Sequence, residues 1–142
     1  MKIINFMVKL LGYPKVKDIM QRNVIKVDGE NSIIEVCKIM GEKHIGSVIV
    51  EIEGKPTGIF TERDLLSKIF LSKLDIEKVK VKDYMSKPLV TIKPDVGLRE
   101  AARMMSELHI RRLPVVDDEG RLLGIITSSD IVSAIAKYGL EF

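Results

Sequence analysis

The sequence predicts an α+β fold: two β-α-β-β-α repeats packed as a pseudo-twofold pair, preceded by an N-terminal amphipathic helix. The first observation behind this is that Val16-Lys17-Asp18-Ile19-Met20 returns as Val81-Lys82-Asp83-Tyr84-Met85. The second is that Gly58-Ile59-Phe60-Thr61-Glu62-Arg63-Asp64 returns as Gly124-Ile125-Ile126-Thr127-Ser128-Ser129-Asp130. The offset is 65 residues (81 − 16) as far as His44/His109 and 66 (124 − 58) thereafter, because the second copy has one extra residue in its Asp117-Asp118-Glu119-Gly120 turn. The third is size: a repeat of about 60 residues is too small to bury enough apolar surface for comfortable stability alone, so the two are expected to fold together.

The elements follow in order. Ile3, Phe6, Met7, Leu10 and Leu11 recur at i, i+3, i+4, i+7 and i+8, an apolar helical stripe that Gly12 and Pro14 end. Asn5 and Lys9 interrupt the apolar run and no small-residue cleavage site follows, so it reads as an amphipathic helix rather than a signal peptide. Val24-Ile25-Lys26-Val27 has the β-branched character of a strand, and Leu89-Val90-Thr91-Ile92 is its twin. A helix starts at Ser32, whose spacing to Glu35 makes a capping box, and buries Ile33, Val36, Cys37 and Met40; Leu98, Ala101, Ala102 and Met105 repeat that face. Val48 to Val50 and Gly58 to Thr61 flank the turn Glu53-Gly54-Lys55-Pro56 as a hairpin, matched by Leu113 to Val116 and Leu122 to Thr127. A second helix runs from Thr61 through Leu65, Leu66, Ile69 and Phe70, and its twin from Thr127 through Ile131, Val132, Ile135 and Ala136. Two three-stranded sheets are therefore expected. Leu71 to Val79, charged and poor in Gly and Pro, reads as a fixed connection. The expected divisions are 1–15 for the N-terminal helix, 16–75 for repeat 1 and 76–142 for repeat 2.

Apolar residues at 46% and charged residues at 30% suit a globular chain. A net charge of +3 with dispersed basic residues, no Trp and 5% aromatics disfavours nucleic-acid binding, since neither a basic stripe nor stacking platforms are present. No segment is long enough to span a bilayer, and burial of the N-terminal stripe on this protein or a second copy is favoured over membrane contact. The single cysteine, Cys37, lies on a helical apolar stripe, which suits a buried thiol, a reducing compartment and a cytoplasmic location.

Chemistry is most suggestive at the Gly58-x-x-Thr61-x-x-Asp64 corner. A Thr cap with an acid three residues on stabilises a helix start, and losing such a cap costs roughly 1 kcal/mol. The same corner turns backbone N–H groups and the positive end of the helix dipole outward, which favours phosphate. A neighbouring carboxylate suits ribose hydroxyls, a combination that dinucleotide folds use. Thr127 and Asp130 repeat the arrangement. Arg63, a cation in a first helical turn, opposes the dipole and points to an anion or an ion pair. The second copy has Ser129 there, but Arg111 and Arg112 replace Gly46 and Ser47 at the entry to its middle strand. Guanidinium forks bind phosphate bidentately, and adjacent strand residues point to opposite faces, so one of the two arginines would face a given ligand. His44 and His109 fall near helix C-termini, where positive charge is favoured. No H-E-x-x-H, cysteine cluster, G-x-S-x-G, G-x-G-x-x-G or P-loop pattern occurs, so enzymatic machinery is not visible.

Taken together, Val16-Lys17-Asp18-Ile19-Met20, Gly58 to Leu65, Arg112-Leu113-Pro114-Val115-Val116 and Gly124 to Asp130 resemble the CBS domain family, named for cystathionine β-synthase, in its tandem or Bateman arrangement. The resemblance covers about Val16 to Tyr138. It implies the β-α-β-β-α unit read above, two clefts in the pair, and adenosine compounds as ligands: AMP, ADP, ATP or S-adenosylmethionine. Carried over, Asp64 and Asp130 would hold ribose, and Thr61 and Thr127 would stand at the sugar or phosphate end. Ile25 with Val48, and Val90 with Leu113 and Pro114, would line the base slots. The first copy lacks the basic strand entry and has Ile49 in place of Pro114, so weaker binding or an empty cleft is expected there. The resemblance also implies a homodimer. The resulting expectation is a stand-alone regulatory module, not an enzyme, that signals to an unidentified regulated protein. The alternative is a purely structural assembly module with vestigial clefts.

Overall fold

The computed structural model describes Ile3 and residues 13–139. The helix expected over 1–15 lies outside the described residues, Ile3 excepted, which is helical and exposed. In chain order the elements are α1 (Val16–Ile19), β1 (Lys26–Asp28), α2 (Ile33–Lys43), β2 (Ser47–Ile52), β3 (Lys55–Thr61) and α3 (Glu62–Asp64), which continues as a π-helical run, Leu65–Phe70. A 3₁₀ turn (Val81–Asp83), α4 (Leu98–Leu108), β4 (Arg112–Val116), β5 (Leu122–Thr127) and α5 (Ser128–Tyr138) follow. The mixed α+β order of the two repeats is as the sequence predicts.

The chain divides into two units, residues 24–89 and residues 1–23 with 90–142. In the first, β1 runs parallel to β2 (Lys26↔Ile49, Val27↔Val50) and β2 antiparallel to β3 (Ser47↔Thr61, Val48↔Phe60), in the order β1-β2-β3. Glu53 and Gly54, at φ 51° and 77°, form the hairpin turn, and positive φ at both central residues matches the twist of the strands it joins. Ser32 caps α2 through the expected capping box, its Oγ accepting from Glu35 N while the Glu35 carboxylate accepts from Ser32 N. The core gathers Val27, Ile33, Val36, Met40, Val48, Val50, Phe60 and Ile69 from the first repeat with Val81 and Met85 from the start of the second. Cys37 is half-buried against this core, and burial pushes its thiol pKa up, which keeps it protonated and unreactive.

The second unit mirrors this: Val16 and Met20 pack with Ile92, Leu98, Ala101, Met105, Leu113, Val115, Ile126, Ile131 and Ala134. Each repeat's opening segment therefore completes the core of the other repeat's elements. The hydrogen bonds say the same. Val16 N donates to Val96 O (2.8 Å) and Lys17 N to Pro94 O (2.9 Å), just as Val81 N donates to Asn31 O (2.9 Å) and Lys82 N to Gly29 O (3.1 Å).

One expectation is corrected. The second sheet is two-stranded, β4-β5 (Pro114↔Ile125, Leu113↔Ile126), with Ile92 joined to Val115 by an isolated parallel bridge in place of a third strand. Prolines explain it. In the first unit Ile49 N donates to Ile25 O and Gly29 N to Glu51 O (3.0 and 2.8 Å); their counterparts, Pro114 and Pro94, have no N–H. What survives is Ile92 N to Pro114 O and Val116 N to Ile92 O, both 3.0 Å.

Candidate functional site

The two strand-to-helix corners are built alike. Thr61 and Thr127 are N-caps in extended conformation, and Asp64 N and Asp130 N each donate to the capping Oγ1 at 3.2 Å. Thr61 N donates to Asp64 Oδ2 at 3.0 Å and Thr127 N to Asp130 Oδ2 at 2.8 Å, closing a capping box in each. Glu62 N bonds Gly46 O (3.0 Å) and Ser128 N bonds Arg111 O (2.9 Å). Two of the first three helical amides are thus bonded within the protein, and the anion site expected at each corner narrows to the amide of Arg63 or Ser129.

Beyond the caps the corners differ. Asp64 is 5% exposed; its Oδ1 accepts from Ser86 Oγ at 2.8 Å and forms an ion pair with Lys68 Nζ at 3.0 Å. Lys68 Nζ also donates to Tyr84 O (3.0 Å) and Ser86 Oγ (3.2 Å). Asp130 is half-buried, and its Oδ1 accepts from Gln21 Nε2 at 3.0 Å. Gln21 and Ser86 are equivalent residues (86 − 65 = 21), each following the repeated Met of an opening segment. Position 134, equivalent to 68, is Ala.

The repeated glycines have a steric cause. A Cβ on Gly58 would lie 2.8 Å from Ser86 O and 2.6 Å from Met85 Sδ, and one on Gly124 2.6 Å from Gln21 O and 2.8 Å from Met20 Sδ. Only glycine lets each opening segment lie on β3 or β5, where Ile59 and Ser86, and Gln21 and Ile125, exchange backbone hydrogen bonds of 2.8–3.0 Å. A second clasp holds each segment by its cations: Lys82 Nζ meets Glu30 Oε1 at 2.6 Å with Lys80 on Oε2, and Lys17 Nζ meets Asp95 Oδ1 at 2.9 Å.

The remaining candidates are placed as follows. Arg63 is exposed in the first turn of α3. Arg111 is exposed before β4, whereas Arg112 is half-buried and stands opposite Thr127 in the β4–β5 register. Ile25 is half-buried before β1 and Val90 is 39% exposed. Val48 and Leu113 lie in the hydrophobic cores, and strand alternation puts Ile49 and Pro114, both buried, on the other face of each sheet. His44 and His109 are left-handed C-caps at φ 53° and 54°. Among the described residues no group of three His, Cys, Asp or Glu is placed to hold a metal, and no helix is long and apolar enough to cross a membrane. The residues that sequence reasoning missed are Gln21, Ser86 and Lys68. Their signal was their position after the repeated Met and one turn after the motif acid, but it has meaning only once the exchange of opening segments is known.

The CBS domain model matches twice, over residues 16–71 and 81–137. The chain belongs to the CBS domain family. As a tandem CBS pair it is 39% identical over 118 residues to an uncharacterized protein of Methanopyrus kandleri, covering 82% of this chain and 60% of that one. It is 37% identical over 119 residues to inosine-5′-monophosphate dehydrogenase of Methanocaldococcus jannaschii, where the match spans 83% of this chain but 23% of the enzyme. The CBS pair is thus a fraction of that relative. Among solved structures, a conserved protein of Pyrococcus horikoshii superposes with a TM-score of 0.80 at 28% identity, covering 91% of this chain and 96% of that one. A CBS domain pair in complex with 5′-methylthioadenosine and S-adenosyl-L-methionine superposes at 0.78 with 31% identity, covering 88% and 98%.

Proposed function

We propose that this CBS pair is a regulatory sensor that binds an adenosine compound (AMP, ADP, ATP or S-adenosylmethionine) without consuming it and signals its occupancy to a partner protein. The observation that carries the reading is the state of Asp130: half-buried at a helix start, it accepts two hydrogen bonds, from Thr127 N and Gln21 Nε2, out of the roughly four that a carboxylate can take. In this reading Asp130 accepts from the ribose hydroxyls, Thr127 stands at the sugar or phosphate end, and Arg112, aided by Arg111, meets phosphate. Val90 and Pro114 flank the base, with Leu113 packed behind them in the core. Thr61, Asp64, Arg63, Ile25 and Val48 are the corresponding set of the first repeat. The solved CBS pair holding two adenosine compounds supports the ligand class.

A homodimer is part of the same reading. Leu66, Phe70 and Leu71 are 61–74% exposed at the end of the first repeat, and Val132, the counterpart of Leu66, is 64% exposed. The run Leu66, Phe70 and Leu71 supports such a contact, and a structural neighbour, a CBS-CP12 protein of bloom-forming cyanobacteria, is hexameric. A cytoplasmic location accompanies the proposal.

The test is the melting temperature of the purified protein with each of the four compounds, followed by chromatography of the ligand. Ligand at 100 times its dissociation constant stabilises the fold by about 2.7 kcal/mol and should be recovered intact. No shift with any of the four would leave the purely structural assembly module as the reading.

A further inference from the structure

We infer that Lys68 closes the Thr61–Asp64 corner from within, so that the protein takes its adenosine ligand at the Thr127–Asp130 corner alone. The inference rests on the adenosine-binding reading and names the residue that sets which corner is used. Asp64 accepts from Thr61 N (3.0 Å) and Thr61 Oγ1 (3.1 Å) on Oδ2 and from Ser86 Oγ (2.8 Å) on Oδ1, which also forms an ion pair with Lys68 Nζ (3.0 Å). Three hydrogen bonds and an ion pair leave little of the roughly four acceptor positions of a carboxylate open. The ammonium is engaged as well, donating to Tyr84 O and Ser86 Oγ while it pairs with Asp64.

A ribose hydroxyl could reach Asp64 only by displacing Ser86 or Lys68, which breaks the hydrogen bond or the ion pair on a buried carboxylate whose lysine partner is half-buried. Burial of Asp64, 5% exposed as a residue, adds a barrier of access. None of this applies to Asp130. Ala134 stands where the lysine would be, the opening segment supplies one amide hydrogen bond from Gln21, and Asp130 is half-buried where Asp64 is buried.

The experiment is calorimetric titration of the full chain with AMP and with S-adenosylmethionine as separate probes. The wild type should show one site per chain, unaffected by Asp64→Ala. Lys68→Ala, which copies Ala134, should show two, and adding Asp64→Ala should return it to one. Two sites in the wild type, a single site that Asp64→Ala removes, or one site in Lys68→Ala would each overturn the inference. If Lys68→Ala does not fold, Lys68→Gln removes the charge while keeping a donor for Tyr84 O, and the same counts apply. Should no probe bind any variant, the adenosine reading has failed. The closure is then judged by hydrogen exchange of the Ser86 amide, which should quicken at least tenfold in Lys68→Gln and would contradict the lock by staying unchanged.

Discussion

Ser86 Oγ donates to Asp64 Oδ1 at 2.8 Å across 22 residues of sequence, and Gln21 Nε2 donates to Asp130 Oδ1 at 3.0 Å across 109. In both cases the motif acid is touched by the residue that follows the repeated Met of the opposite repeat's opening segment. The acids thus have two tasks, capping their own helix and gripping an exchanged segment, and any ligand must negotiate with both.

The glycines on which those segments lie should be intolerant. Gly58→Ala and Gly124→Ala place a methyl within 2.8 Å of backbone oxygen, and overpacking of this kind costs typically about 1–3 kcal/mol. Gly41, exposed in α2 with nothing within 4 Å of an added Cβ, is the control: Gly41→Ala should stabilise by about 0.5–1 kcal/mol. Urea denaturation of the three variants checks the contrast, and equal effects at all three positions would contradict it.

The helix caps differ between repeats in a measurable way. Ser32 caps α2, while Gly97, its counterpart, starts α4 without a side-chain cap, at φ −74° with open space around it. Ser32→Ala should cost about 1 kcal/mol, and Gly97→Ser should add a few tenths. Thermal melts of both variants decide this, and a loss of stability in Gly97→Ser would refute the second half.

Acid should loosen the clasp on the second opening segment. Hydrogen bonds from Lys80 and then Lys82 hold the Glu30 carboxyl at about 2, down from 4.5. A carboxyl whose folded pKa is depressed contributes stability that is present above its unfolded value and lost as pH falls through the folded one. The stability advantage of the wild type over Glu30→Gln should therefore shrink from about pH 4.5 downward and vanish below about pH 2. It should also fall with added salt, because these groups are exposed. Denaturation midpoints of both proteins across that range test it; a pH-independent difference would exclude the ion pair as its source.

Much of the fold was legible because it is written in local pattern. The α2 stripe Ile33, Val36, Met40 and its twin Leu98, Ala101, Met105 are buried as their spacing requires, and the Ser32 and Thr61 caps are where the sequence places them. The pairing of the opening segments was not legible, because Val16-Lys17-Asp18-Ile19-Met20 and Val81-Lys82-Asp83-Tyr84-Met85 present the same buried Val and Met, and neither pattern says which repeat receives it. The lost third strand needed more than composition: Pro94 and Pro114 matter because they stand where Gly29 and Ile49 donate, a fact of register. At the site, the Thr and Asp pairs were readable from spacing alone, but the occupation of Asp64 by Lys68 depends on burial and on Ser86 arriving from 22 residues away.

The dimer proposal makes a claim about exposed side chains. Phe70 and Leu71, 73% and 74% exposed, should lie in the contact. Phe70→Ser with Leu71→Ser should shift the protein toward monomer in light scattering at tens of micromolar without lowering its helix content. A wild type already monomeric at that concentration would contradict the proposal.

The most direct test of the central claim is the affinity for AMP, ADP, ATP and S-adenosylmethionine, measured by calorimetry on the wild type and on Asp130→Ala. A hydrogen bond to a charged group contributes roughly 1.5–3 kcal/mol, so at least one compound should bind the wild type and lose at least tenfold in affinity in the variant. Binding that Asp130→Ala leaves unchanged, or no binding of any of the four compounds to the wild type, would contradict it.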